Sequence, residues 1–314
     1  MKTKKLSYVP VLGQKQNFLG LPFPHCDLDK AKFAVVPVAF ERTTSYIKGT
    51  VHGPSKLLAA SHQLEFYDEE LSEEIGFSHG IATIKPLKPT PRVESKEFLL
   101  KTSSVVRELA QRGKFVATVG GEHTITFAPV NAMKDVYPDL SILYIDAHAD
   151  LRDSYEGTPW NHACALRRSI EACHSAGGRG VTALVGIRSM DVTEARYIQD
   201  NRTLALFDAH RCRRLATEIN RIIEHLGEHV YISIDLDGLD PSVIPGVGTP
   251  QPGGLGWYDL LDLLKAVFDH RKVVGVDLME LAPLKGQVVS EFAAAKLLYR
   301  VFGYAARGRP LATK

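Results

Sequence analysis

Short apolar runs alternate with amphipathic stretches of helical period along almost the whole of this 314-residue chain, and that alternation limits the fold more than any other feature. Strand-like runs fall at Ala34–Val38, Phe115–Val119, Ser141–Ile145, Thr182–Ile187, Thr203–Phe207, Val230–Ile234 and Val273–Val276. Between them, helical patterns cover Gly53–Ser61, Ser95–Arg112, Ala163–Ala176, Thr193–Asp200, Arg213–Leu226, Trp257–His270 and Val289–Gly303. Such alternation means βαβ units and a mainly parallel sheet covered on both faces. No repeat, low-complexity tract or linker interrupts it. The expectation is one doubly wound α/β domain over residues 1–314, with residues 1–30 as an N-terminal extension. In sheets of this kind, sites form at the carboxyl ends of strands.

Composition narrows the class of partner. A formal net charge of +2 with no basic stripe gives no footprint for nucleic acid. No apolar run approaches the roughly 18–20 residues that span a bilayer, so no membrane partner is expected. The basic start Met1–Lys5 leads into a stretch too interrupted for a signal peptide. Cys26, Cys164, Cys173 and Cys212 show neither paired nor zinc-ribbon spacing, which suits a reducing, cytoplasmic setting.

The chemistry concentrates at strand ends. Ser141–Ile145 runs directly into Asp146-Ala-His148-Ala-Asp150, and Val230–Ile234 into Asp235-Leu-Asp237. Side chains two apart along a strand point the same way, so each set can converge on one point. Four carboxylates brought together repel one another and raise each other's pKa unless cations neutralise them. Gly120-Gly121-Glu122-His123 follows the strand at Phe115, and its two glycines permit a close backbone approach that presents His123. A fourth loop, Asp277-Leu-Met-Glu280, follows the strand at Val273, whereas Asp240 is read as turn chemistry. Oxygen donors with two imidazoles and no thiolate suit Mn²⁺ ahead of Zn²⁺, Co²⁺ or Ni²⁺. Six ligands (His123, Asp146, His148, Asp150, Asp235 and Asp237) exceed what one ion takes from protein. A pair about 3.5–4 Å apart, bridged by carboxylates, fits better.

With these segments in view, the chain resembles the ureohydrolases, the arginase and agmatinase family. The matching stretches are Gly120-Gly-Glu-His-Thr-Ile-Thr126, Asp146–Asp150, Ser233-Ile-Asp-Leu-Asp-Gly-Leu-Asp-Pro-Ser242 and Gly248-Thr-Pro-Gln-Pro-Gly-Gly254, within a likeness running from about Val35 to the last helix. The resemblance implies a three-layer α/β/α sandwich on an eight-stranded, mainly parallel sheet, a metal-site core at about residues 115–285, and two Mn²⁺ per subunit. It assigns His123, Asp146, Asp150 and Asp235 to one ion, and Asp146, His148, Asp235 and Asp237 to the other. It also implies a trimer or hexamer. His162, here followed by Ala163 where the family more often has Gly, matches its proton shuttle. Glu280 matches the carboxylate that grips a guanidinium, a planar cation suited to two-point pairing. The implied reaction releases urea and an amine, with Asp150 orienting the nucleophile.

The segment Leu151-Arg152-Asp153 and the stretch to Trp160 look agmatinase-like, which makes agmatine, hydrolysed to putrescine and urea, the expected substrate. Asp191, Asp153 or Glu156 could attract its distal amine, while Arg152 could repel that amine or receive a tail carboxylate. Guanidinobutyrate, aminopropylagmatine, arginine and guanidine are the alternatives within the class. A non-catalytic metal-binding relative is the alternative outside it, although no ligand is missing. The Gly-Asp and Gly-Asn-His segments that a metallophosphoesterase needs are absent.

Overall fold

A computed structural model describes residues 10–175 and 180–309. Eight strands, β1 (Phe33–Pro37), β2 (Ile81–Thr83), β3 (Phe115–Val119), β4 (Ser141–Ile145), β5 (Thr182–Val185), β6 (Leu204–Phe207), β7 (His229–Asp235) and β8 (Lys272–Met279), form one sheet in the order β2-β1-β3-β8-β7-β4-β5-β6. Every neighbouring pair is parallel. All five residues of β1, β3 and β4 are buried, as expected of strands covered on both faces.

Among the described residues, ten α-helices cover the sheet: α1 (Gly53–Ser61), α2 (Ile75–His79), α3 (Ser95–Gln111), α4 (Phe127–Met133), α5 (Ala165–Ser175), α6 (Val192–Asp200), α7 (Ala209–Cys212), α8 (Ile219–His225), α9 (Trp257–His270) and α10 (Val289–Arg307). Alternate strand residues feed two separate cores. Phe33, Val35, Ala117, Ile145, Ile232 and Leu278 pack with α1, α8, α9 and α10. Ala34, Val36, Val116, Tyr144, Leu184 and Val274 pack with α3, α4 and α5. That two-sided segregation makes the three-layer α/β/α sandwich. No helix among the described residues is long and apolar enough to cross a membrane.

The differences from the sequence reading have local causes. The strand β2 is only three residues long and is defined by its pairing with β1, so no periodic signal marks it. The helix expected over Arg213–Leu226 is broken: α7 ends at Cys212, a 3₁₀ turn covers Leu215–Thr217, and α8 starts at Ile219. Arg214 leaves helical geometry there (φ −131°, ψ 59°), and Glu218 ties the pieces by accepting from Arg211 at 2.6 Å and Arg221 at 3.3 Å. β8 runs on to Met279, so Asp277 lies inside a strand rather than in a loop after it. Ala176, the expected end of α5, lies outside the described residues.

Register positions the site. Ile145 of β4 stands beside Ile234 of β7, so Asp146 and Asp235 leave adjacent strands at the same level. Val119 of β3 stands beside Leu278 of β8, and Glu280 N–H donates to the Gly121 carbonyl at 2.8 Å. A Cβ on Gly121 would come within 2.0 Å of the Phe40 carbonyl oxygen, and one on Gly120 within 2.0 Å of Met279 Sδ. Glycine is the residue that lets this loop lie so close.

Behind the site, the Arg188 guanidinium ties the Gly/Pro-rich loop after β7 to the sheet. It donates to the carbonyls of Gly186, Asp237, Gly238, Leu239, Gln251 and Pro252, the shortest at 2.6 Å to Asp237. Arg188→Met keeps the stem but leaves these carbonyls without their donor. It should lower unfolding stability by about 2–4 kcal/mol, given about 1–3 kcal/mol for each buried group left unsatisfied, and denaturant titration measures this.

Candidate metal centre

The four central strands, β3, β8, β7 and β4, deliver the site. Two groups of ligand-type atoms gather at their carboxyl ends, His123 with Asp146 and Asp235, and Asp146 with His148 and Asp237; each group lies within 4.8 Å and they share Asp146. The His123 Nδ1 is 3.0 Å from Asp146 Oδ2, 2.9 Å from Asp235 Oδ2 and 3.3 Å from Asp150 Oδ2. The His148 Nδ1 is 3.0 Å from Asp237 Oδ2 and 3.5 Å from Asp146 Oδ1. All six expected ligands are therefore brought together. Apart from half-buried His148, they are buried.

Partners on adjacent strands fix each donor. Ser233 gives its only O–H to Asp277 Oδ1 at 2.8 Å, and Tyr231 donates to Asp277 Oδ2 at 2.9 Å. The Ser233 oxygen can therefore only accept from the His123 Nε2, 3.0 Å away. That spends the Nε2 proton and leaves Nδ1 facing the carboxylates. The Tyr144 O–H goes to Asp150 Oδ2 at 2.7 Å, and its oxygen lies 3.1 Å from the same Nδ1. Asp146 Oδ1 accepts the His148 N–H at 2.5 Å, Asp235 Oδ1 the Asp237 N–H at 2.8 Å, and Asp237 Oδ1 the Ala147 N–H at 3.1 Å. The buried Asp146 Oδ2, 3.0 Å from the His123 Nδ1, has no hydrogen-bond partner. An imidazole nitrogen and several carboxylate oxygens gathered around an unsatisfied buried oxygen are the donor set a divalent cation needs.

The electrostatics agree. Burial opposes charge on His123, yet contact with Asp146, Asp150 and Asp235 holds its pKa well above the ordinary value. Burial likewise opposes charge on His148, but Asp146 and Asp237 push it up to about 12. Burial, then the charges of Asp237 and Asp146, drives Asp235 well up, whereas contact with His148 pulls Asp237 down against its burial.

Glu280 is buried beside the cluster, and its Oε1 accepts the His123 N–H at 2.7 Å. Burial, then the charge of Glu122, drives its carboxyl well above the usual carboxylate range. Asp150 and Glu280 both hold positive φ, 49° and 64°. Such strain in non-glycine residues gathers at functional positions, at a cost of about 1–3 kcal/mol each. Thr44, Ser45, Ile47, His162, Gly248 and Thr249 close the inner pocket around these groups.

An outer chamber of about 260 Å³ shares His148, Asp150 and His162 with this pocket and extends to Arg152, Tyr155, Met190, Asp191 and Glu194. Arg152 is half-buried and paired. Its Nη1 is 2.8 Å from Asp191, its Nε 4.0 Å from Glu194, and its guanidinium lies 4.7 Å from the centre of the Tyr155 ring. The other Asp191 oxygen caps α6, accepting from the Thr193 and Glu194 N–H groups at 2.7 and 3.0 Å. Asp153 pairs instead with Arg168 at 2.7 Å. Asp240 is a turn residue: its carboxylate accepts from Ser242, Gly253 and Gly254, and the Ser242 hydroxyl foremost pulls its pKa down to about 2. Sequence reasoning missed Tyr144, Ser233, Glu194 and Arg188. None carries a spacing signal; each matters through a neighbour distant in sequence.

Comparison with known proteins matches this geometry. A family model described as the arginase family matches residues 31–303. An N(1)-aminopropylagmatine ureohydrolase of Synechocystis sp. is 41% identical over 280 residues, covering 87% of this chain and 89% of that protein. An agmatinase of Pyrococcus horikoshii is 31% identical, covering 91% and 96%. The crystal structure of the agmatine ureohydrolase of Thermoplasma volcanium superposes with a TM-score of 0.79 at 29% identity, covering 90% of this chain and 94% of that one. The chain belongs to the arginase family, and is a hydrolase of the ureohydrolase type that acts on guanidino compounds.

Proposed function

We propose that the protein hydrolyses a guanidinium whose tail carries cationic amines, releasing urea and an amine, with two Mn²⁺ held by His123, Asp146, Asp150 and Asp235 and by Asp146, His148, Asp235 and Asp237. The observation that carries the metal reading is the convergence of the His123 Nδ1 with Asp146, Asp150 and Asp235 around a buried Asp146 Oδ2 that has no hydrogen-bond partner. Such an ion pair supplies a nucleophile made from water at neutral pH and neutralises developing negative charge. Glu280 receives the guanidinium, a cation that lets this buried acid ionise. Asp150 accepts a hydrogen bond from the nucleophile and so aims it at the guanidinium carbon. As the bond from that carbon to the tail nitrogen breaks, His162 gives the departing amine its proton, and the hydroxyl proton passes to Asp150, which leaves neutral urea.

The tail is read from the outer chamber. Among the described residues that line it, Arg152 offers a guanidinium that could receive a carboxylate, and Asp191 already pairs with it. Asp191 and Glu194 against a single guanidinium leave the chamber suited to ammonium groups. Its reach beyond the metal cluster favours the longer N(1)-aminopropylagmatine, the compound named for the Synechocystis relative. Agmatine is the second reading, favoured by the Pyrococcus relative.

Urea release measured across aminopropylagmatine, agmatine, guanidinobutyrate, arginine and guanidine should rank the first two highest in kcat/KM; a maximum for guanidinobutyrate or arginine contradicts the tail assignment. In the same assay Asp191→Ala should free Arg152 and raise kcat/KM for guanidinobutyrate relative to agmatine by about tenfold, the worth of one partly exposed charge contact of about 1 kcal/mol or slightly more. Asp146→Ala removes a ligand from both ions, so elemental analysis of the purified variant should find neither; full two-ion content would exclude the shared role. Contact with the carboxylates raises the pKa of both imidazoles in the ion-free protein, that of His148 to about 12, so a metal must displace their protons. Apparent Mn²⁺ affinity should therefore rise continuously from pH 6 to 9, by about tenfold per pH unit for each proton displaced. Calorimetry in buffers of different ionisation enthalpy counts those protons.

A further inference from the structure

The carboxylate of Glu122 is fully buried and belongs to neither ligand group, yet it collects four hydrogen bonds. Its Oε2 accepts from the N–H groups of Arg42 and Thr43, the latter at 2.6 Å. Its Oε1 accepts from the hydroxyls of Thr43 at 2.7 Å and Thr124 at 2.6 Å. Thr43 has thereby spent its only proton. Its oxygen still accepts the His162 backbone N–H at 3.0 Å and lies 3.2 Å from the His162 Nδ1. An oxygen that has given its proton to a carboxylate can meet that ring nitrogen only as an acceptor. The Nδ1 of His162 therefore carries the hydrogen, and the Nε2, 3.2 Å from Ser45 Oγ, is left as the working atom at the junction of inner pocket and outer chamber. From the opposite side, Glu41 fixes the same loop by accepting from the Thr44 hydroxyl at 3.1 Å and from the N–H groups of Gly49 at 2.8 Å and Val51 at 3.2 Å.

We propose that Thr43, pinned by Glu122, is a positioning residue that fixes the tautomer and orientation of His162, so that the Nε2 alone carries the proton delivered to the departing amine. This rests on the proton-donor role proposed for His162. In the step, the Nε2–H bond of the imidazolium breaks, the amine nitrogen takes the proton as its bond to the guanidinium carbon opens, and the imidazole is left neutral with hydrogen on Nδ1. A carboxylate that acts through a hydroxyl steers the ring without entering the pocket.

Thr43→Val keeps the shape of the side chain and removes the hydroxyl. With Mn²⁺ loaded and agmatine or aminopropylagmatine as substrate, it should lower kcat by about tenfold or more, part of the 10²–10⁴ that a positioned acid supplies. The KM and the metal content should stay within about twofold, because the lost contact acts on the chemical step and not on binding. Thr43→Ser restores most of the turnover, and Thr43→Val costs nothing further in a His162→Ala background. Undiminished turnover in Thr43→Val, or an undiminished further loss on top of His162→Ala, overturns the positioning role while leaving the proton-donor reading intact. Full turnover in His162→Ala alone overturns both.

Discussion

Repulsion among four carboxylates at the ends of two neighbouring strands is the constraint around which this molecule is arranged. The pairing of Ile145 with Ile234 sets Asp146 and Asp235 level, and the turns that follow, a 3₁₀ turn at Leu236–Gly238 and a loop that reaches left-handed backbone at Asp150, bring Asp237 and Asp150 to the same space. An arrangement that unfavourable persists only because the surrounding sheet over-determines it. Each carboxylate receives a hydrogen bond from a group on its own or a facing segment, and the Asp277–Ser233–His123 chain turns an imidazole nitrogen inward as well. A positive ion at the centre makes all of these placements favourable at once.

The scaffold supports this in layers. Nonpolar side chains on both faces of β3, β4, β7 and β8 hold the strand ends in register, while Gly120 and Gly121 let the His123 loop lie against Phe40 and Met279. Arg188 holds the loop behind Asp237 through backbone carbonyls alone, so its contribution is insensitive to the side chains of that loop. Strain at Asp150 and Glu280 sits in two residues that line the pocket at the candidate metal cluster. Further out, Arg152 pairs with Asp191 and approaches Glu194, which sets the charge that the proposed tail would meet.

Much of this was legible in the chain. Periods of two and of three to four residues located seven of the eight strands and most helices, and the spacing of Asp146, His148, Asp150, Asp235 and Asp237 announced a shared site before any topology was known. What escaped depends on contacts across the sheet. β2 exists because β1 pairs with it. The length of β8, and so the placement of Asp277 inside a strand, follows from its long register with β7. The break before α8 lies in an arginine-rich stretch whose apolar period hides it. Ser233 and Tyr144 look like ordinary strand residues until the fold sets them beside His123, and Arg152 could not be read at all without the Asp191 that meets it.

The account stands or falls on whether the cluster holds two ions that share Asp146. A crystal structure of the Mn²⁺-loaded protein, recorded at wavelengths above and below the manganese absorption edge, tests this most directly. The account predicts two anomalous peaks about 3.5–4 Å apart, one beside the His123 Nδ1 and one beside the His148 Nδ1, with Asp146 touching both. A single peak, or two that do not share Asp146, would contradict it.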